Sequence, residues 1–154
     1  MKEGFLRGKV LPVITEQLKR GITPEKIALT LAVGAAIALF PVVGLTTGLC
    51  IAAGVLLELN HPILQLVNHL LFPVQIALMI PFFRLGEKLF GVPPVPFNLP
   101  RMREMFHSDF QGALRAYGMT GLRGVAAWCL LAPLGSFLLY RMSAPVLRRA
   151  AQKR

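Results

Sequence analysis

The sequence predicts an all-α integral membrane protein. It has about three apolar segments, the first and third broken by Pro/Gly, plus amphipathic interfacial helices. Three observations predict this. Hydrophobic residues make up 55% of the 154 residues, with a mean hydropathy of +0.60, more apolar surface than one small domain can hide within itself. They fall in long blocks, as bilayer segments do. Charged residues are 16% of the chain, against about 25% in soluble proteins, and they flank the blocks.

Residues 1–26 read as a cytoplasmic leader with a short amphipathic helix. Pro12 suits a first helical turn and Gly21 the position past the last. Val13, Ile14, Gln17 and Leu18 share a mostly apolar face, and Lys19 and Arg20 complement the C-terminal dipole. The leader holds six Lys/Arg and no sustained apolar run, so no cleavable signal peptide is expected. Thr23, Pro24 and Glu25 then form a helix start: N-cap, first position and acidic first turn. From Ile27 to Leu57 the 31 residues carry no charge. One straight helix of that length would measure about 46 Å, against a hydrocarbon core of about 30 Å. Pro41 and Gly44 divide it into halves too short to span alone.

Asn60 suits the left-handed residue that ends a helix, and Pro62 opens the next. Residues 63–83 form a second apolar segment, 21 residues long, containing Pro73 and Pro81. Phe82, Phe83 and Arg84 suit an interfacial anchor. Residues 92–121 are a Pro-rich linker followed by a helix from the N-cap Asn98. Met102, Met105, Phe106, Phe110, Ala113, Leu114 and Tyr117 form its apolar stripe, with Arg101, Arg103, Glu104 and Arg115 off it. The expectation is a helix lying in the membrane interface. Residues 122–140 are the third segment, broken at Pro133 and Gly135. Residues 141–154 are a basic tail with five Lys/Arg and no acid, suited to anionic lipid head groups. The membrane domain proper is placed at 27–91.

The net charge is +10, but the basic residues flank apolar blocks and no stacking-aromatic pattern accompanies them, so nucleic acid is not the expected partner. No HExxH, Walker loop or GxSxG is present. Asp109 is the one aspartate, and Glu58 is the acid that stands beside the apolar core. Paired-carboxylate catalysis has poor material, so no enzyme and no cofactor are expected. Cys50 and Cys129 read as small buried hydrophobes. Glu58, Asn60 and His61 cluster at one turn, yet turn chemistry accounts for Asn60 and no metal is expected.

The sharpest polar signal is Gln65, Asn68, His69 and Gln75, at helical offsets that bring them towards one side. Such a stripe must face protein or water. It either bonds backbone carbonyls freed by the prolines or lines a polar path or ligand site. Thr46 and Thr47 follow the break and offer hydroxyls to either role. Ala28, Ala32 and Ala36, then Gly44, Gly48 and Ala52, recur every fourth residue and allow close helix packing.

The stretch from Thr23 to Gly91 resembles a bacterial membrane family called domain of unknown function 2062. The likeness rests on "TPEKIALTLAVGAAIALFPVVG", "LLELNHPIL" and "FPVQIALMIPFFRLGEKLFG". The family pattern has a Pro-x-x-Gly break, here Pro41–Gly44, an Asn after the second half-helix, here Asn60, and a Leu-Gly pair, here Leu85–Gly86. Its later Asn-Pro pair is replaced by Phe72–Pro73, so any role of that Asn is lost or moved to Asn68. The resemblance implies a multi-pass protein of the inner membrane, with no established activity. Some relatives appear alongside cell-envelope glycosyltransferases, which implies an envelope role.

Positive-inside counting puts the leader, the central region and the tail in the cytoplasm. That requires the first segment to cross as a kinked helix and the third to dip and return. The rival topology makes the first segment a re-entrant hairpin. Two functions are expected: a small transporter, channel or lipid-translocating unit acting as a homo-oligomer, or a non-catalytic adaptor for an envelope enzyme.

Overall fold

Three helices begin where the sequence supplies an N-cap followed by proline. The Thr23 hydroxyl accepts from Lys26 N, Asn60 Oδ1 from Ile63 N and Asn98 Oδ1 from Arg101 N, which satisfies backbone donors that a helix start leaves free. The computed structural model describes residues 12–17 and 21–152. Residues 12–17 are helical (α1). Then come α2 (Pro24–Ala38), α3 (Thr46–Leu56), α4 (His61–Leu89), α5 (Leu99–Ser108) and α6 (Phe110–Gln152), with no strand among the described residues. Leu18, Lys19, Arg20, residues 1–11 and the last two residues of the basic tail lie outside the described residues.

The first apolar segment breaks as its sequence requires, with Gly44 at φ +93, a region open to glycine at little cost. It does not continue as a kinked helix. Lys26 Nζ lies 3.4 Å from Glu58 Oε2, and Asn60 N donates to Thr30 Oγ1 at 3.3 Å. The start of α2 and the end of α3 therefore share one end of the molecule, and α2–α3 is a hairpin. This corrects the single kinked helix expected of the first segment: its two halves fold back on each other. Asn60 is also corrected: it is extended, with φ −75 and ψ 104, and Glu58 takes the left-handed conformation at φ 49.

The third segment is not broken. α6 runs through Pro133, Gly135 and Pro145 without interruption, and α4 likewise runs through Pro73 and Pro81. A proline inside a helix removes one hydrogen bond and bends it, but long flanking runs carry it on; all four of these prolines are exposed. The dip-and-return at Pro133 is withdrawn. A break does occur at Asp109, inside the stripe expected to be one helix. Asp109 (φ −146, ψ 87) ends α5, and its Oδ1 caps α6 by accepting from Gly112 N at 2.9 Å. The stripe then folds on itself: Phe106 stacks on Tyr117 at 5.7 Å and lies 5.9 Å from Phe110.

α4 leaves the hairpin's open end and α6 returns to it, as Arg148 Nε paired with Glu25 Oε1 shows. A backbone hydrogen bond, then the Arg148 side chain, holds the Glu25 carboxyl below its ordinary range. At this end Ile14, Ile27, Ile63, Val67, Ala144 and Leu147 form one apolar cluster that joins α1, α2, α4 and α6. A smaller cluster of Cys50, Leu59 and Leu64 lies under the hairpin. Cys129, expected to be buried, is exposed.

Candidate functional site

The hairpin tip is held by side chains from both long helices. Gln75 Nε2, almost fully buried, donates to Phe40 O at 2.8 Å, just before the break. Trp128 Nε1 donates to Ala36 O at 2.9 Å, and its ring meets Phe40 edge-on at 5.0 Å. Ser136 Oγ donates to Ala32 O at 3.2 Å. After the break, Asn68 Nδ2 donates to Thr47 Oγ1 at 3.4 Å. Pro41 is buried between these contacts. The carbonyls at the end of α2 thus find side-chain donors from α4 and α6.

The polar stripe divides. Gln75 and Asn68 face the hairpin, whereas His69 is exposed, its Nδ1 2.7 Å from Gln65 O in its own helix. Gln65 is half-buried and joins neither contact at the tip. Thr46 is buried and Thr47 is exposed. On the α3 side the tip is open: Val43, Gly44 and Leu45 are exposed, and Leu45 at the N-cap offers no side-chain hydrogen bond. The first N–H groups of a helix have no partner within it and carry its positive dipole end. A groove of about 300 Å³ runs beside the tip between α2 and α6, apolar apart from Trp128 and Ser136. Gln75→Leu leaves Phe40 O unpaired and is expected to destabilise the protein by about 1–3 kcal/mol in detergent unfolding. Wild-type stability in this variant would refute the clamp.

At the far end of α4 lies a buried carboxylate that the sequence reading passed over in favour of Glu58. Glu87, 2% exposed, accepts from Arg84 Nη1 at 2.7 Å, from Val95 N at 2.8 Å and from Thr120 Oγ1 at 3.4 Å. Phe97 stacks on Phe83 at 5.4 Å with Arg84 over its ring, and Tyr117 Oη donates to Pro96 O at 2.8 Å. The Pro-rich segment is therefore tied down along 95–97. The available signal was Arg84-x-x-Glu87, an i,i+3 ion pair at the end of an apolar run. Trp128, the chain's one tryptophan, was also missed, because its partner is 92 residues away.

At the opposite end, Glu58 meets Lys26, Asn60 Nδ2 donates to Gln17 Oε1 at 2.8 Å, and the His61 ring covers Gly54. Glu58, Asn60 and His61 are thus engaged separately. Pro133 and Gly135 are exposed on α6.

Comparison with curated proteins and with solved structures finds no match. A family model does match, over residues 12–154, well beyond the stretch that carries the sequence likeness. On that match the chain belongs to the bacterial family described as uncharacterized protein conserved in bacteria (DUF2062).

Proposed function

We propose that the chain is a multi-pass inner-membrane protein in which α4 and α6 cross the bilayer and α2–α3 enters as a re-entrant hairpin. In this reading the hairpin tip serves a solute or lipid path within a homo-oligomer. The apolar windows of α4 and α6 are only 28% and 11% buried, whereas core helices of soluble proteins are mostly covered. In sequence, the stretch before Ile27, the 58–62 turn and the stretch from Arg141, which adjoin the open end of the hairpin, together carry eleven Lys/Arg and four acids. Arg84 to Arg123 holds six and three, which completes the seventeen and seven of the whole chain. The positive-inside rule then favours the open end in the cytoplasm.

The uncapped start of α3 carries the path reading. Gln75, which holds the tip, stands 14 residues along α4 from His61, about 21 Å along the helix axis and beyond the middle of the hydrocarbon core. Exposed backbone donors at that depth need a protein partner or water, and half-helix starts in transporters face polar or anionic solutes. Two crossing helices and a hairpin enclose no path alone, so further copies complete it.

Single cysteines at Val43 and Leu57, with Cys50 and Cys129 replaced by alanine, test this. Leu57→Cys is expected to react with an impermeant maleimide only after lysis. Val43→Cys is expected to react from water in open membranes. Modification of Val43→Cys by lipid-soluble reagents alone would refute the path and leave the adaptor reading. Reaction of Leu57→Cys in intact cells would refute the topology.

A further inference from the structure

We propose that a recess near the C-terminal end of α6 holds the phosphate of an anionic phospholipid head group. The recess, about 350 Å³, is lined by Tyr140, Arg141, Ala144, Pro145 and Arg148. The inference rests on the membrane reading of α6 and adds a specific ligand to it. Arg141 and Arg148 are seven residues apart, two helical turns, and so share a face. Between them Ala144 and Pro145 are small and leave the recess open.

The two guanidinium groups are available in a specific way. Arg148 gives Nε to Glu25, which fixes the side chain and leaves both terminal nitrogens for a second acceptor. Arg141 makes no hydrogen bond or ion pair among the described residues. Planar guanidinium forks match two oxygens of a phosphate, which a lysine ammonium does not. The height is right as well. Tyr140 closes the apolar run of α6, an amphipathic residue suited to the head-group layer. No acid follows in the sequence from Arg141 onward; the carboxylate beside the recess is that of Glu25, which offsets one of the two positive charges and leaves the pair with a net charge of one. Basic recesses at the cytoplasmic ends of membrane helices are a known mode of anionic lipid capture. Free inorganic phosphate shares this chemistry, but it has no acyl chain to hold it beside the helix.

The test uses the full chain. Alkaline carbonate extraction comes first: release from membranes refutes the membrane reading, and with it the recess. A retained chain is placed in nanodiscs of phosphatidylcholine with a minority of phosphatidylglycerol, and co-purifying lipid is measured. Wild type is expected to enrich phosphatidylglycerol. R141Q/R148Q is expected to lose about tenfold of that enrichment, the scale of one lost charge-assisted contact. R101Q/R103Q, at the other end of the molecule, is expected to keep it. Equal enrichment in R141Q/R148Q, or equal loss in R101Q/R103Q, overturns the recess while leaving the membrane reading intact. Displacement of the lipid by millimolar inorganic phosphate overturns the lipid as ligand. Should R141Q/R148Q fail to fold, R141K/R148K carries the test: a several-fold loss supports the bidentate fork, and full enrichment overturns it.

Discussion

Glu87→Leu is expected to destabilise the protein by about 2–4 kcal/mol in equilibrium unfolding, because it leaves buried donors without an acceptor. The glutamate is 2% exposed and receives three donors, from Arg84, Val95 and Thr120. Arg84 is 40% exposed and can turn to water when its partner is lost. The Val95 N–H and the fully buried Thr120 hydroxyl cannot do so without moving α6 or the Pro-rich segment. Glu87→Gln keeps an acceptor of nearly the same shape and is expected to lose about 1 kcal/mol, the difference between a charged and a neutral hydrogen bond. The leucine variant should also expose residues 92–98 to protease, since Glu87 ties that segment to the helices. Equal stability of Glu87→Leu and wild type, with no new cleavage, would show that the carboxylate holds nothing.

What the sequence revealed and what it hid follow from the range of the interactions. Thr23, Asn60 and Asn98 announce helix starts because a cap bonds a backbone group three residues on. Pro41 and Gly44 announce the break because ring geometry and positive φ are local matters. The direction of the chain after the break is not local. It is decided by Lys26 meeting Glu58 and Thr30 meeting Asn60, contacts across about thirty residues that no periodicity encodes. Pro133 misled for a related reason. Proline reports a lost hydrogen bond, and whether the helix stops depends on the runs on either side, which here carry α6 past the exposed Pro133. Asp109 hid within a continuous apolar stripe, because the same spacing serves one helix or two that fold together.

The candidate site was half legible. The stripe correctly marks Gln75 and Asn68 as residues in need of partners, yet it groups with them His69, which reaches only its own helix. Offsets on a helix give direction to within a broad sector. They do not say whether a neighbour fills that sector, and here the hairpin covers one edge of it. Phe72 is exposed, whereas Asn68, one turn earlier, is buried against Thr47.

Gly86→Ala is expected to cost about 3 kcal/mol or more, through overpacking against backbone. A Cβ at Gly86 would lie 2.3 Å from Arg123 O and 2.4 Å from its carbonyl carbon. No rotamer change relieves this, because the obstacle is the main chain of α6. One of the two long helices must shift, which would pull Thr120 from Glu87 and Phe83 from its seat on Gly124. The loss should thus couple to the Glu87 site: Gly86→Ala and Glu87→Leu are expected to be less than additive, because the first already disturbs what the second removes. Gly48→Ala and Gly118→Ala supply the contrast. Both are helical with nothing within 4 Å of an added Cβ, and alanine there is expected to be neutral or to stabilise by up to about 1 kcal/mol. If all three alanine variants unfold alike, α4 and α6 are not in backbone contact at Gly86, and the anchoring of the Pro-rich segment by Glu87 loses its foundation.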